Sequence, residues 1–352
     1  MIITFTGDIL IYQSQNKGCL GKNGRRDYSP IFEQVKPILK ASDYVVGSFE
    51  TTLAGAKAGY TKSDISFNTP DELLLAIKEA GFDMLTTANN HCLDRGEDGL
   101  RRTILKIKEI GLEYTGTRLS EEEPSYLIKD FDGTKVAFVA YTYGTNSLSN
   151  GFMVPKGKEY LVNLTRPQNA PLHRPLWKRV AKSVLSTLRK KPKHGVVLDC
   201  VSEREINSGR NEEYEKQMLD VVRNAKKEAD VVIVCLHSGG QFNSEVGTYT
   251  QHLFDIIADA GADTIVCNHA HKILPVYKKD DCLVASALGN FSFAPGEGYW
   301  VDGVDAEYSL LFSIEILDHH IVDYNTIQLK CVRNDRGLAI TIPWNDRDVY
   351  RP

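Results

Sequence analysis

The chain has 352 residues, 42% of them hydrophobic and 25% charged, with a net charge of -4 and a pI near 6.2. This is the composition of a folded globular protein, long enough for one large α/β domain with insertions. It excludes a strongly basic nucleic-acid-binding protein, and no apolar run is long enough to span a bilayer.

The opening run Ile2-Ile3-Thr4-Phe5 has no basic region and no signal-like apolar block, so the expectation is a cytoplasmic protein without a membrane anchor in this chain. Residues 1–6 and 44–47 read as strands. Residues 70–80 place Leu73, Leu74 and Ile77 at helical spacing, with Asp71 and Glu72 at the start and Gly81 at the end. A strand over 82–88 follows, then a helix over 99–110 stopped by Gly111. The turn Asp132-Gly133 leads into a strand over 135–142. A helix over 211–229, a strand over 231–236, a helix over 250–260 and a strand over 264–267 continue the alternation. Strands over 283–288, 309–317 and 320–332 close it, the last two joined by a tight turn near Asp318-His319.

Strand–helix alternation ending in a run of strands predicts sheets covered by helices, with antiparallel pairing late in the chain. One domain over 1–352 is expected, with C-terminal strands at about 309–332. An insertion at about 144–210 carries Pro155, Pro167, Pro171 and Pro175 and a basic stretch over 178–193 on a predicted helix. That insertion reads equally as a cap over a site or as a solvated basic helix. The seven cysteines form no C-x-x-C pair. Cys200, Cys235, Cys267 and Cys282 sit in or beside apolar runs, which predicts reduced, buried thiols. Cys92 directly follows His91 and reads as a small packed residue.

Polar donors recur where apolar runs end: Asp8, Glu50, Asn90-His91, His237, and His269-Ala270-His271. A strand end is rigid, and the loop beyond it is open to substrate. Imidazole, carboxylate and amide oxygen together suit borderline transition metals. Singly, Asp8 reads as well as a loop cap, Glu50 as a surface carboxylate and His237 as a packed core histidine. Taken together, in this order and at strand ends, they point to a metal centre. His173, His194, His252, His319 and His320 lie off the pattern and read as surface or packing residues.

The ordered blocks are Gly7-Asp8, Ser48-Phe49-Glu50, Ala88-Asn89-Asn90-His91-Cys92-Leu93-Asp94-Arg95-Gly96, His237-Ser238-Gly239-Gly240-Gln241, Asn268-His269-Ala270-His271 and Ala287-Leu288-Gly289-Asn290-Phe291. They resemble the motifs of the calcineurin-like metallophosphoesterases. The closer likeness is to the bacterial capsule-biosynthesis branch, the CapA or poly-γ-glutamate synthesis (PGA_cap) family, over residues 1 to about 317. The resemblance implies a four-layer αββα sandwich, two mixed sheets face to face with helices outside. It implies two divalent transition metals (Mn, Fe, Zn or Co), about 3.5–4 Å apart. Asp8 and His271 would bind the first metal, Glu50 would bridge, and Asn90, His237 and His269 would complete the second. A metal-bound hydroxide would attack in line, with His91 as general acid or electrostatic stabiliser and Asp94 holding its ring.

Leu10 stands where the wider superfamily has the D-x-H histidine, so the second site is expected to be more complete than the first. Ser238, Gln241, Asn268 and Ala270 also depart from the family motifs. Substrate contacts are expected from Arg95, Asn68, Gln241, Asn268 and Tyr299. Asn68 lies in a segment before a helix whose amides suit an anion, and Tyr299 in the glycine-flanked loop Gly296-Glu297-Gly298-Tyr299-Trp300. The reading is a phosphatase or phosphodiesterase acting on a small or polymeric anionic substrate, with no nucleic-acid partner. The alternatives are a non-catalytic or weakly catalytic metal-binding protein in capsule or poly-γ-glutamate assembly, and a metal-dependent amide hydrolase.

Overall fold

Unbroken apolar runs bury both faces of their strands, so the chain folds into two sheets packed face to face with helices outside. The computed structural model describes residues 1–21, 24–62, 65–168, 199–201, 203–206, 208–293 and 305–345. Among these the strands are β1 (Ile2–Ile9), β2 (Tyr44–Phe49), β3 (Met84–Thr86), β4 (Glu113–Thr115), β5 (Tyr126–Phe131), β6 (Thr134–Thr142), β7 (Val231–His237), β8 (Thr264–Asn268), β9 (Ile273–Lys279), β10 (Cys282–Leu288), β11 (Tyr308–Leu317), β12 (His320–Arg333) and β13 (Ala339–Pro343). The helices that cover the sheets include α1 (Glu72–Ala80), α2 (Gly96–Glu109), α3 (Glu212–Glu228) and α4 (Thr248–Asp259).

The first sheet has the order β13-β12-β11-β1-β2-β3-β4 and the second β5-β6-β7-β8-β10-β9. In the first, β1 to β4 are parallel, and β11 to β13 extend the sheet antiparallel beyond β1. In the second, β6, β7, β8 and β10 are parallel, with β5 and β9 antiparallel at the edges. Alternate side chains split between faces. Phe5, Val46 and Phe312 meet Phe138, Ile233 and Ala285 between the sheets. Val45 and Leu85 face Leu74 and Ile77 of α1, while Val232 and Val234 face Met218, Val222 and Leu253 on the far side. The result is the expected four-layer αββα sandwich.

Several elements differ from their predicted bounds. The helix predicted over 70–80 begins at Glu72 and ends on Gly81 at φ 104°, in the left-handed region. The strand predicted over 82–88 shortens to β3: the Phe82 amide still closes α1 on the Ile77 carbonyl, and past Thr86 the Asn89 side-chain amide donates to the Phe49 carbonyl where the chain turns. The helix predicted over 99–110 starts earlier, at Gly96, with Glu97 and Asp98 in its first turn. Strands β4, β5, β9 and β13 carry no clear apolar alternation. They are short or lie at sheet edges, where Pro275 in β9 is tolerated. Asp132-Gly133 and Asp318-His319 all have positive φ, as two-residue hairpin turns require.

All seven cysteines are free thiols, six buried and Cys200 half-buried. Among the described residues, no helix is long and apolar enough to cross a membrane. The basic stretch over 178–193 lies outside the described residues.

Candidate metal centre and active site

Parallel strands of both sheets deliver their C-terminal ends to one edge of the sandwich, the usual place for a ligand in such sheets. The two sheets are joined there. The Asp8 amide donates to the Gly289 carbonyl at 2.9 Å, and the Phe291 amide donates to the Asp8 carbonyl at 2.9 Å. Gly7 permits this approach, since a Cβ there would sit 2.2 Å from the Gly289 oxygen. Asp8 lies near the end of β1, Glu50 follows β2, and Asn90 and His91 sit in the turn after β3. From the second sheet, His237 ends β7, and His269 and His271 follow β8. All of these side chains are buried.

Glu50 is 0% exposed, and neither of its oxygens has a hydrogen-bond partner among the described residues. A Glu50 oxygen and one ring nitrogen each of His269 and His271 lie within 4.8 Å of one another. His237 Nε2 is 3.4 Å from Glu50 Oε1 and 2.7 Å from Asn90 Oδ1. Asp8 accepts the Ser48 hydroxyl at 2.7 Å and the His269 amide at 3.0 Å. It also lies 3.6 Å from His271 Nδ1.

Neighbours orient several of these groups. The Asn290 amide nitrogen donates to the His271 and Ala306 carbonyls, so its oxygen is the acceptor for His271 Nδ1 at 2.8 Å. That leaves His271 Nε2 as the lone-pair donor. His269 and His271 sit at φ 98° and 53°, in the left-handed region. Such backbone costs about 1–3 kcal/mol per residue and clusters at functional sites.

Burial raises the pKa of Asp8, with the Glu50 charge adding to it, and burial also raises that of Glu50. Burial lowers His237 to about 4, His269 well below the ordinary imidazole value, and His271 below it. Neutral imidazole is the form that ligates metal. A buried carboxylate whose oxygens accept no hydrogen bond is what a cation satisfies. The donor set therefore fits a divalent metal. Leu10, at the D-x-H position, packs with Tyr12, Phe67, Phe242 and Phe293.

His91 is built differently. Its Nδ1 is 2.7 Å from Asp94 Oδ2, and that same oxygen accepts the Phe67 amide at 2.6 Å. The Phe67 ring packs edge-on against the imidazole at 4.6 Å. Burial pulls the His91 pKa down, but the charge and hydrogen bond of Asp94, with Glu50 and Asp8 behind, raise it overall. His91 is thus the one imidazole of the cluster whose proton is favoured.

A cleft of about 360 Å³ opens over this edge, lined in part by Asn90, His91, His269 and His271, with Tyr12, Phe67 and Tyr143 as aromatic walls. Of the predicted substrate contacts, Gln241 lines this cleft. Asn68 does not: it is buried, and its side-chain amide is bonded to the backbone of Ala54, Gly55 and Gly59. Arg95 gives its guanidinium to Ala58, Gly59, Ser66 and its neighbour Asp94, fastening the loop before α1. Asn268 points between the sheets, donating to the Thr6 carbonyl at 3.3 Å. Tyr299 lies outside the described residues. The amides of Phe67, Asn68 and Thr69 are also engaged, on Asp94, Thr61 and Thr52. Asn290, which reads as part of a structural turn under the site, also orients the His271 ring. Sequence reasoning missed the supporting role of Ser48, although it lies inside a quoted motif. It also missed Asn146 and Asn150, which no motif marks.

An αββα sandwich with carboxylates, an amide and imidazoles gathered at its strand ends defines a protein of the metallophosphoesterase-like superfamily. The family described as bacterial capsule synthesis protein PGA_cap matches residues 2–295, and the chain belongs to it. The capsule biosynthesis protein CapA of Bacillus anthracis is 28% identical over 316 residues, 88% of this chain and 64% of that protein. The PGA biosynthesis protein CapA of Bacillus subtilis (strain 168) is 25% identical over 311 residues, 87% of this chain and 67% of that protein. The chain thus spans about two thirds of the length of these relatives. A crystal structure of a hypothetical protein from Thermus thermophilus is similar with a TM-score of 0.48 and 12% identity, over 94% of this chain and 99% of that one.

Proposed function

We propose that the chain is a metal-dependent phosphoester hydrolase whose two divalent transition metals are held by Asp8, Glu50, Asn90, His237, His269 and His271. The observation that carries this reading is the buried, unpartnered Glu50 carboxylate among imidazoles beneath an open cleft. When bound, such ions supply positive charge for an anionic centre and acidify coordinated water. Glu50 has His237 Nε2 at 3.4 Å and a ring nitrogen each of His269 and His271 within 4.8 Å, so it would be the carboxylate shared between the two ions. Leu10 leaves the first site with Asp8, Glu50 and His271 alone, and the second site is the tighter one.

His91 is the general acid. Asp94 holds its Nδ1, so Nε2 faces the cleft and gives its proton to the leaving oxygen. The Phe67 ring and amide fix the pair, and the Tyr12 and Tyr143 side chains narrow the space left for bulk water. The names of the Bacillus relatives support a role in capsule or PGA biosynthesis, and the substrate of this reading is a small or polymeric anion.

The test begins with metal content per chain, on protein purified without chelator or histidine tag. Close to two ions is expected, and turnover of aryl phosphates or phosphodiesters with them. His91→Ala should keep its metal and lose roughly 10²–10⁴-fold in turnover. Unchanged turnover in that variant removes the acid role, and no metal after soaking removes the reading. One observation favours a second reading, amide hydrolysis: among the described residues lining the cleft there is no Lys or Arg. γ-Glutamyl amides belong in the same panel, and metal-loaded protein inert on all of it would be a binding protein of polymer assembly.

A further inference from the structure

The turn after β6 carries two asparagines that both reach the His91–Asp94 pair. The Asn150 amide donates to Asp94 Oδ1 at 3.2 Å and to the Thr145 carbonyl at 2.7 Å, so it holds the carboxylate on the side away from His91. Asn146 lies on the other side. Its amide nitrogen is 3.4 Å from His91 Nε2, the ring nitrogen that faces the cleft, and Asn146 itself lines that cleft. With Nδ1 held by Asp94 and a proton on Nε2, as the acid role requires, Nε2 cannot accept from this amide N–H, which is left available to another acceptor.

The backbone holds Asn146 where it is. Its φ is 53°, in the left-handed region that asparagine tolerates better than most side chains. Its carbonyl accepts the amides of Ser149 and Asn150 at 2.9 Å and the Ser149 hydroxyl at 2.9 Å. The turn is therefore closed on itself, and the Asn146 amide is presented beside His91 without rearrangement.

We propose that Asn146 is a substrate-contacting residue, whose amide N–H donates to an oxygen of the anionic centre that His91 faces. This rests on the phosphoester reading above. The amide adds a neutral donor to a wall that, among the described residues, holds no Lys or Arg, and a preorganised donor counts for more in such a place than in water. Asn150 is a positioning residue, acting through Asp94.

Asn146→Gly removes the amide and suits the left-handed backbone, so the turn is preserved. The experiment compares metal-loaded wild type, Asn146→Gly and Leu148→Ala, the last an exposed neighbour on the same turn. It measures kcat/KM on p-nitrophenyl phosphate and bis(p-nitrophenyl) phosphate, binding of inorganic phosphate by calorimetry, and metal content. The expected result for Asn146→Gly is a roughly 10- to 100-fold loss in kcat/KM, weaker phosphate binding and unchanged metal. Leu148→Ala should match wild type. Asn146→Gly within twofold of wild type in both kinetics and phosphate binding would overturn the inference, as would an equal loss in Leu148→Ala. A metal-loaded wild type that neither hydrolyses these esters nor binds phosphate overturns the phosphoester reading itself. An active wild type with an unchanged Asn146→Gly overturns this inference alone.

Discussion

The two sheets contribute unlike chemistry to one edge. The first supplies the carboxylates and the amide, Asp8, Glu50 and Asn90, together with His91. The second supplies the imidazoles His237, His269 and His271. Neither half alone makes a metal centre. The first holds buried acids whose burial raises their pKa, and the second holds buried imidazoles that burial keeps neutral. The site exists because the inter-sheet core brings the halves together, so fold stability and ligand geometry are coupled at Gly7, where the sheets touch.

The largest effect is expected from Glu50→Gln. It removes the shared carboxylate, and metal retained after desalting should fall to near zero by elemental analysis. The metal-free variant should be more stable than metal-free wild type by about 1–3 kcal/mol, because an unpartnered buried charge has gone. Urea midpoints in chelator measure that, and a less stable metal-free variant would show that Glu50 is already satisfied by the protein.

Gly7→Ala attacks the seam. With its Cβ against the Gly289 carbonyl, the sheets must part locally, at a cost of about 1–3 kcal/mol in urea unfolding. Metal affinity should fall too, since Asp8 is the next residue. Stability lost with affinity intact would mean that the seam and the centre are independent. Asn290→Ala acts on the second half by freeing the His271 ring. Loss of such an orienting partner costs roughly 10- to 100-fold in metal affinity, read by competition with a chelating dye. Arg95→Ala should have the smallest effect on the centre. It frees Ala58, Gly59 and Ser66 and lowers the melting temperature by a few degrees, roughly 1 kcal/mol, with metal content unchanged. Loss of metal in that variant would place Arg95 closer to the site than its hydrogen bonds do.

The strands that end in the site were legible because they are buried on both faces and read as unbroken apolar runs. Residues 231–236 and 264–267 differ from the observed β7 and β8 only at their ends. Edge strands β5 and β9 were not legible. Their side chains are half-exposed, and their backbone pairing is decided by the neighbouring strand. The gathering of Asp8, Glu50, Asn90, His237, His269 and His271 at one edge was legible because each closes an apolar run. Arg95 and Asn68 were misjudged as substrate contacts because proximity in sequence to the His91 motif says nothing of where a long side chain or a buried amide finds its partners.

By itself, the sequence determined the kind of chemistry this protein can hold. Residue type sets which atoms donate, and the apolar runs set that these atoms stand at strand ends. The tertiary structure alone decided which donors meet. Glu50 and His269 are far apart in the chain and in different sheets, and only the packing of Phe5 and Phe312 against Phe138 and Ile233 brings them within reach. It alone also decided that Asn290 orients His271 and that Asn146 stands beside His91. A hydrogen bond across such sequence distances depends on register and sheet packing, which local propensity does not encode.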